Sequence, residues 1–443
     1  MEHLVDRLSN VDAEKIGSNK LTAYLPYRKG AKEFDFESVA CVVLSWLMGK
    51  QVKRNLSMDA FEAKCSEYLE DRLSDTSIIE DLRKMYFSGD ALSRTAPEFM
   101  LLRTHAKTNA STKHLVELLK SFFDKSLPSV EFESGTNFLE KGFLDLLKNE
   151  LREADIAAAE ECYLPFVAEK FVRDVTFLAG HSEYLLEQLP SCIELYNFIY
   201  CTQLGLNIRN WTSGSPPSSK PLYFILDTEK ASSERVHVTK EGYRSLAGPM
   251  ADVFPILSML EYFNSDTDYP KAPLWSYAKA VHDSDDSNRA RVHKSLVEFS
   301  EQFRLDRKLP AVPAAPIDAI EAMKHLMSLG VKQFAKTVNE GRHRVQQQYM
   351  EVFDKEVARN FLQSRGRAGR VLVINQDFVL LLTNLAIGDR PSVRFQELLR
   401  AFKERGFYFD KGSQQALISF YERVGNVDRM SDSGDAVYVR NTI

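Results

Sequence analysis

RFQELLRAFKERGFYFDKGSQQALISFYERVG, residues 394–425, holds two helical patterns separated by a short turn, and the class of the C-terminal module follows from how they are joined. Phe395, Leu398, Leu399 and Phe402 recur at helical spacing with charges opposite them. Ser392 stands upstream as a cap and Gly406 past the end. A second helix is predicted from Ser413, with Leu417, Phe420, Tyr421 and Val424 on one face and Gly425 as its stop. Before this pair, NQDFVLLLTNLAIG (Asn375–Gly388) reads as an apolar helix capped by Asn375. After it, Val427-Asp-Arg-Met and Ala436-Val-Tyr-Val-Arg440 flank the turn-forming Ser431-Asp-Ser-Gly-Asp435, a strand–turn–strand pattern. Helix, turn, helix and hairpin is the order of a winged helix-turn-helix, a fold that places its last helix in a DNA major groove. On that helix Ser413, Gln414, Gln415 and Ser419 could face base edges, while Arg423 is its only cation and Glu422 sits beside it. Winged helices also serve as protein-docking units, so the fold leaves both uses open.

Upstream, helical periodicity dominates. Helices are predicted over Ser38–Met48, Met58–Leu73, Ile78–Tyr86, Thr112–Asp124, Thr136–Glu153 and His181–Leu204. Thr212-Ser-Gly-Ser-Pro-Pro-Ser-Ser-Lys-Pro221 cannot continue a helix and reads as an exposed loop or linker. Leu222–Leu226 and Arg235–Thr239 look like two strands that pair in a small sheet against a helix at Val253–Phe263. Leu309-Pro-Ala-Val-Pro-Ala-Ala-Pro316 is a second, stiff connector. Beyond it, Ile317–Phe334 and Val345–Phe361 look like amphipathic helices. The expected fold is mainly α: a multi-helical body, a small β element and a C-terminal winged helix-turn-helix. Its expected divisions are residues 1–211, 212–308 and 317–443, the last ending in the winged module at about 371–443.

A chain of 443 residues with 44% hydrophobic and 27% charged residues is of ordinary globular composition. The net charge of −5 argues against a whole-surface nucleic-acid binder and for local basic patches. From Lys332 onward 18 Lys and Arg face 13 Asp and Glu, which leaves 39 against 49 in the residues before it. The basic end is therefore the winged-helix end. Ser364-Arg-Gly-Arg-Ala-Gly-Arg370 sets three arginines, Arg365, Arg367 and Arg370, among small residues that let a backbone approach phosphates. An interhelical turn with ordinary surface arginines is the equal alternative. With Ser413, Gln414, Gln415 and Arg423 of the last helix, and Arg429 and Arg440 of the wing, these three make up the expected nucleic-acid contacts.

Patterns that carry chemistry are missing from the sequence. It has no G-x-x-x-x-G-K-[ST], no H-E-x-x-H, no G-x-S-x-G and no C-x-x-C. Cys41, Cys65, Cys162, Cys192 and Cys201 read as buried thiols, and no cofactor or metal is expected. Asp283-Ser-Asp-Asp286 is compact and acidic, but a solvated turn explains it better than a nuclease site. His293 and His343 read as surface residues amid charge. MEHLVDRLSN lacks the basic and apolar segments of a signal peptide, and no run is long enough to span a bilayer, so a cytoplasmic, non-catalytic protein is expected.

Three stretches carry a family resemblance: Arg405–Ile443, LTAYLPYRKGAKEFDFESVACVVLSWLMGK (Leu21–Lys50) and PLYFILDTEK (Pro221–Lys230). Together they resemble the DptG family, whose members belong to bacterial restriction systems, a form of anti-phage defence, acting on DNA that lacks phosphorothioate modification. The resemblance implies DptF- and DptH-type partners carrying ATPase and helicase-like or nuclease-like activities, and it brings no catalytic residues with it. Two roles follow as expectations. One is an accessory subunit that touches duplex DNA and docks an ATPase. The other is a scaffold or regulatory protein whose winged helix contacts only protein.

Overall fold

The computed structural model describes residues 2–12, 24–104, 108–123, 130–132, 137–154, 160–232, 234–266, 268–311, 315–430 and 436–443, with backbone alone at 429, 430 and 436. Among these the chain is mainly α, with seventeen α-helices and nine short strands. Helix α1 (Glu2–Ser9) precedes α2 (Phe36–Met48), which is buried along almost its whole length. Asp35 caps α2 by accepting from the Ser38 N–H, and Gly49 stops it at φ +62°. Strand β1 (Lys50–Val52) follows, then α3 (Met58–Glu70), α4 (Thr76–Phe87), α5 (Ala110–Lys120) and α6 (Phe138–Lys148). The helix expected to run to Glu153 ends earlier, because Leu151–Glu153 turns into β2 and pairs antiparallel with β1. Helices α7 (Pro165–Ala179) and α8 (Ser182–Asn207) come next. From Cys192 to Gly205 nearly every residue of α8 is buried, which makes it the axis of the molecule.

Strand β3 (Leu222–Leu226) leads to α9 (Val236–Lys240), α10 (Tyr243–Phe263), α11 (Leu274–Asp283), α12 (Asp286–Asp306), α13 (Ala319–Lys332) and α14 (Glu340–Val352), which ends in a π-helical turn at Phe353–Val357. Two expectations fail here. The segment after Arg235 is helical, since the Arg235 carbonyl accepts from the Thr239 N–H. Its alternation of exposed Val236 with buried Val238 fits a single helical turn as well as a strand. The helix predicted from Val253 begins ten residues earlier, Pro249 and Pro255 lying inside it.

The last elements are β4 (Leu362–Ser364), β5 (Arg370–Ile374), α15 (Gln376–Ile387), β6 (Ser392–Arg394), α16 (Phe395–Glu404), β7 (Phe407–Phe409), α17 (Lys411–Val424), β8 (Val427–Met430) and β9 (Ala436–Arg440). Two sheets organise them. β6, β9 and β8 form an antiparallel three-stranded sheet in that order. β4, β5, β3 and β7 form a four-stranded sheet in which β3 lies between β5 and β7, parallel to both. The partners of β3 thus come from the far end of the chain rather than from the neighbouring segment.

The Thr212–Pro221 stretch is irregular as expected, but it is fastened down. The buried Gln203 amide donates to the Lys220 carbonyl (3.0 Å) and accepts from its N–H (2.8 Å), and Asn207 donates to the Ser218 carbonyl. Ser219 donates to the Lys403 carbonyl. The expected divisions near 211 and 308 do not separate cores, for one hydrophobic cluster runs from Leu4 to Val439. Buried Arg7 of α1, for example, donates to the Pro270 carbonyl and the Tyr277 hydroxyl.

Candidate nucleic-acid interface

Residues 376–443 fold in the order α15, β6, α16, β7, α17, β8, β9. α16 buries Phe395, Leu398, Leu399 and Phe402, the stripe its spacing predicts. Ser392 is no cap: it belongs to β6 and pairs with Arg440 of β9. Between α16 and α17 the chain passes through β7, and Arg405 in that passage is 2% exposed. Its guanidinium meets Asp174 of α7 in a two-point pair, at 2.6 and 2.9 Å, while Tyr196 of α8 donates to the same carboxylate. Arg405 also donates to the Ala401 and Leu385 carbonyls. A buried charge pair is tolerated only when its remaining donors and acceptors are met in this way.

α17 starts two residues before the expected Ser413. Asp410 is its N-cap, accepting from the Ser413 N–H, and Arg235 binds Asp410, Glu229 and the Ser413 hydroxyl together. Burial works against ionisation of Asp410, but the hydrogen bonds from Arg235 and Ser413 and the arginine charge hold its carboxyl below the usual range. Ser413 is fully buried and donates to the Phe224 carbonyl, so it is removed from any base edge. Gln414 turns inward and donates to the Phe409 carbonyl. Gln415 and Arg423 remain exposed. With Lys411, Ser419 and Glu422 they line one exposed face of α17, three or four residues apart. Lys411 escaped the sequence reading because the helix start was set at Ser413. Asp410, an N-cap residue type three residues before Ser413, was the available signal.

The arginine-rich turn forms the tip joining β4 to β5. Two of its three cations are engaged. Arg365 donates to the Asp227 carbonyl at the end of β3, and Arg370 pairs with Asp354 and donates to the Tyr243 hydroxyl (3.0 Å). Arg367 is exposed. Arg440 of β9 donates to the Gly425 carbonyl (3.0 Å) and faces Asp428 at 3.3 Å. The Arg429 side chain and the Ser431–Asp435 turn lie outside the described residues. Gln415, Arg423 and Arg367 are therefore the expected contacts found exposed with no partner recorded among the described residues.

The acidic run has structural work in place of a shared site. Asp283 closes α11, Asp285 caps α12 by accepting from the Asn288 N–H, and Asp286 pairs with Arg289. His293 and His343 are half-buried and meet the Pro316 and Phe334 carbonyls, so both tie loops to helices. The five cysteines are unpaired, four of them buried. Among the described residues no helix is long and apolar enough to cross a membrane. A cleft of about 580 Å³ is lined in part by Glu37, Ser93, Arg103 and Glu183, none of them an expected contact residue. No protein-family model matches this chain, and no curated protein matches it either.

Proposed function

We propose that this protein is a non-catalytic accessory subunit of a bacterial phosphorothioation-dependent DNA restriction system, whose residues 376–443 form a winged helix-turn-helix that lies against duplex DNA. Its helical body carries DptF- and DptH-type ATPase or helicase-like partners. The observation that carries the fold part of this reading is the element order α15, β6, α16, β7, α17, β8, β9 with the sheet order β6, β9, β8, a helix pair joined through β7 and followed by a hairpin wing. The family resemblance of Arg405–Ile443, Leu21–Lys50 and Pro221–Lys230 supplies the system.

The side-chain placement shapes what such contact consists of. With Ser413 buried and Gln414 turned inward, α17 offers a duplex the stripe Lys411, Gln415, Ser419 and Arg423. Two cations and two short polar groups suit phosphates, and phosphate contacts carry no sequence information directly. Duplex binding is expected to be insensitive to sequence and steeply weakened by salt. Replacing Lys411 and Arg423 with alanine should lower affinity for all duplexes alike and flatten the salt slope by about 0.9 per lost phosphate contact.

The scaffold reading is favoured by one specific set of facts: Arg365, Arg370 and Arg440 are already engaged inside the protein. A salt titration of duplex binding by wild type and the Lys411→Ala, Arg423→Ala variant separates the two. No duplex affinity at low salt, alongside co-purification with an ATPase partner, makes α17 a protein-docking surface and sinks the DNA reading.

A further inference from the structure

Helix α4 is seated by its buried residues Ile79 and Tyr86. Tyr86 and Phe87 meet the Phe143 ring of α6, at 5.4 and 6.1 Å between centroids, and Asn137 donates to the Tyr86 hydroxyl. A second apolar face of the same helix is left open. Ile78 is 48% and Met85 56% exposed, with half-buried Leu82 between them. At about 100° per residue these three positions fall within about 60° of one another, one stripe two turns long. Phe138, beside Asn137 at the start of α6, is 67% exposed near the Tyr86 end of α4. Single exposed apolar side chains are ordinary, but a stripe of them along one helix marks an interaction surface.

The charges of α4 reverse about Leu82. Glu80 and Asp81 precede it, Arg83 and Lys84 follow it, and the apolar pairs Ile78-Ile79 and Met85-Tyr86 close the two ends. A helix with this order is complementary to its own copy laid antiparallel across it, since a two-fold axis at Leu82 sets each acidic half against a basic half. Asp81 and Lys84 border the stripe on the side turned away from Ile79 and Tyr86. Asp81 is exposed with no partner recorded among the described residues, and Lys84 has exposed Glu80 at 3.2 Å, a pair that two solvated side chains hold weakly. Arg83 faces Glu62 of α3 at 2.8 Å and takes no part.

We propose that α4 is a self-association surface: two copies of this chain pair antiparallel about a two-fold axis at Leu82, Ile78 of each packing on Met85 of the other and Asp81 of each meeting Lys84 of the other. The reversal of charge selects a second copy over an unrelated helix, because a partner of uniform charge would be repelled by one half of α4. A single helix pair lies at the small end of specific interfaces, so the association is weak and depends on concentration. It uses none of the α17 residues proposed to meet duplex DNA and is independent of that reading.

Sedimentation velocity of the full chain over roughly 1–100 μM should show wild type passing from the mass of one chain toward that of two. Asp81→Lys sets lysine against lysine across the axis, and Lys84→Glu sets carboxylate against carboxylate, so each variant alone should associate about tenfold more weakly. An equimolar mixture of the two variants should recover the wild-type behaviour, because every contact across the unlike pair then joins opposite charges. Side chains that served only the fold of α4 would give no such rescue. A wild type that stays monomeric throughout, single variants that associate as wild type, or a mixture no better than its components would each overturn the proposal. Should a charge variant melt early, Leu82→Cys decides under mild oxidation, since the axis brings the two copies of that position together. A disulfide-linked dimer that wild type does not form supports the pairing, and its absence overturns it.

Discussion

Asp174 and Arg405 hold each other 231 residues apart in a setting almost without water. Removing one of them strands the other as an uncompensated buried charge, a loss of about 3–5 kcal/mol. Asp174→Ala should therefore lower the denaturation midpoint far more than Asp90→Ala, whose pair with Arg94 is exposed and is worth at most about 1 kcal/mol. Urea unfolding of the two variants measures the difference, and equal midpoints would refute the role given to Arg405. At this scale the sequence was least legible. It displays a side chain's chemistry but not whether a partner already occupies it. Ser413, Arg365 and Arg370 have the donors a DNA contact needs, and the fold has engaged all three. Arg235 and Asp410, read as a strand residue and a loop residue, instead anchor the start of α17.

Helices with a regular apolar stripe were legible almost to the residue: α2, α15 and α16 bury the side chains their spacing picks out, because a 3.6-residue period reports directly which face is inside. Strands were harder to place. β3 was visible as an apolar run, but its partners Phe407–Phe409 and Arg370–Ile374 are set by tertiary packing that no local pattern encodes. The hairpin of β8 and β9 was legible because both strands and their turn are adjacent in sequence. One position tests how tightly these elements are fitted. Gly406 joins α16 to β7 at φ +87°, and a Cβ there would run into the Gln203 amide that holds Lys220. Gly406→Ala should cost at least the roughly 1–2 kcal/mol of a left-handed non-glycine residue. Thermal melting should show a clear drop, whereas Gly425→Ala, with open space at its Cβ, should pay the backbone cost alone.

Across the whole molecule the mainly helical character was legible from composition and periodicity, but the expected divisions were not real gaps in packing. Pro216, Pro217 and Pro221 stop a helix without making a hinge, because α8 supplies Gln203 and Asn207 to bind the stretch that contains them. Limited proteolysis of the native chain should leave Thr212–Pro221 uncut and release no stable fragment of residues 376–443. A stable fragment from a cut in that stretch would overturn this. The same interleaving bears on how the protein is made. From Leu226 to Phe407 is 181 residues, so at roughly 5–20 residues per second β3 leaves the ribosome about 10–35 s before the strand that covers its far side. Until Arg370–Ile374 follows, both edges of this apolar strand are open, and its far edge stays open until β7 arrives, a template for pairing with neighbouring nascent chains. A chain that stalls or is truncated before β7 keeps that exposed strand for good, and its fate is aggregation or capture by chaperones rather than a smaller working protein.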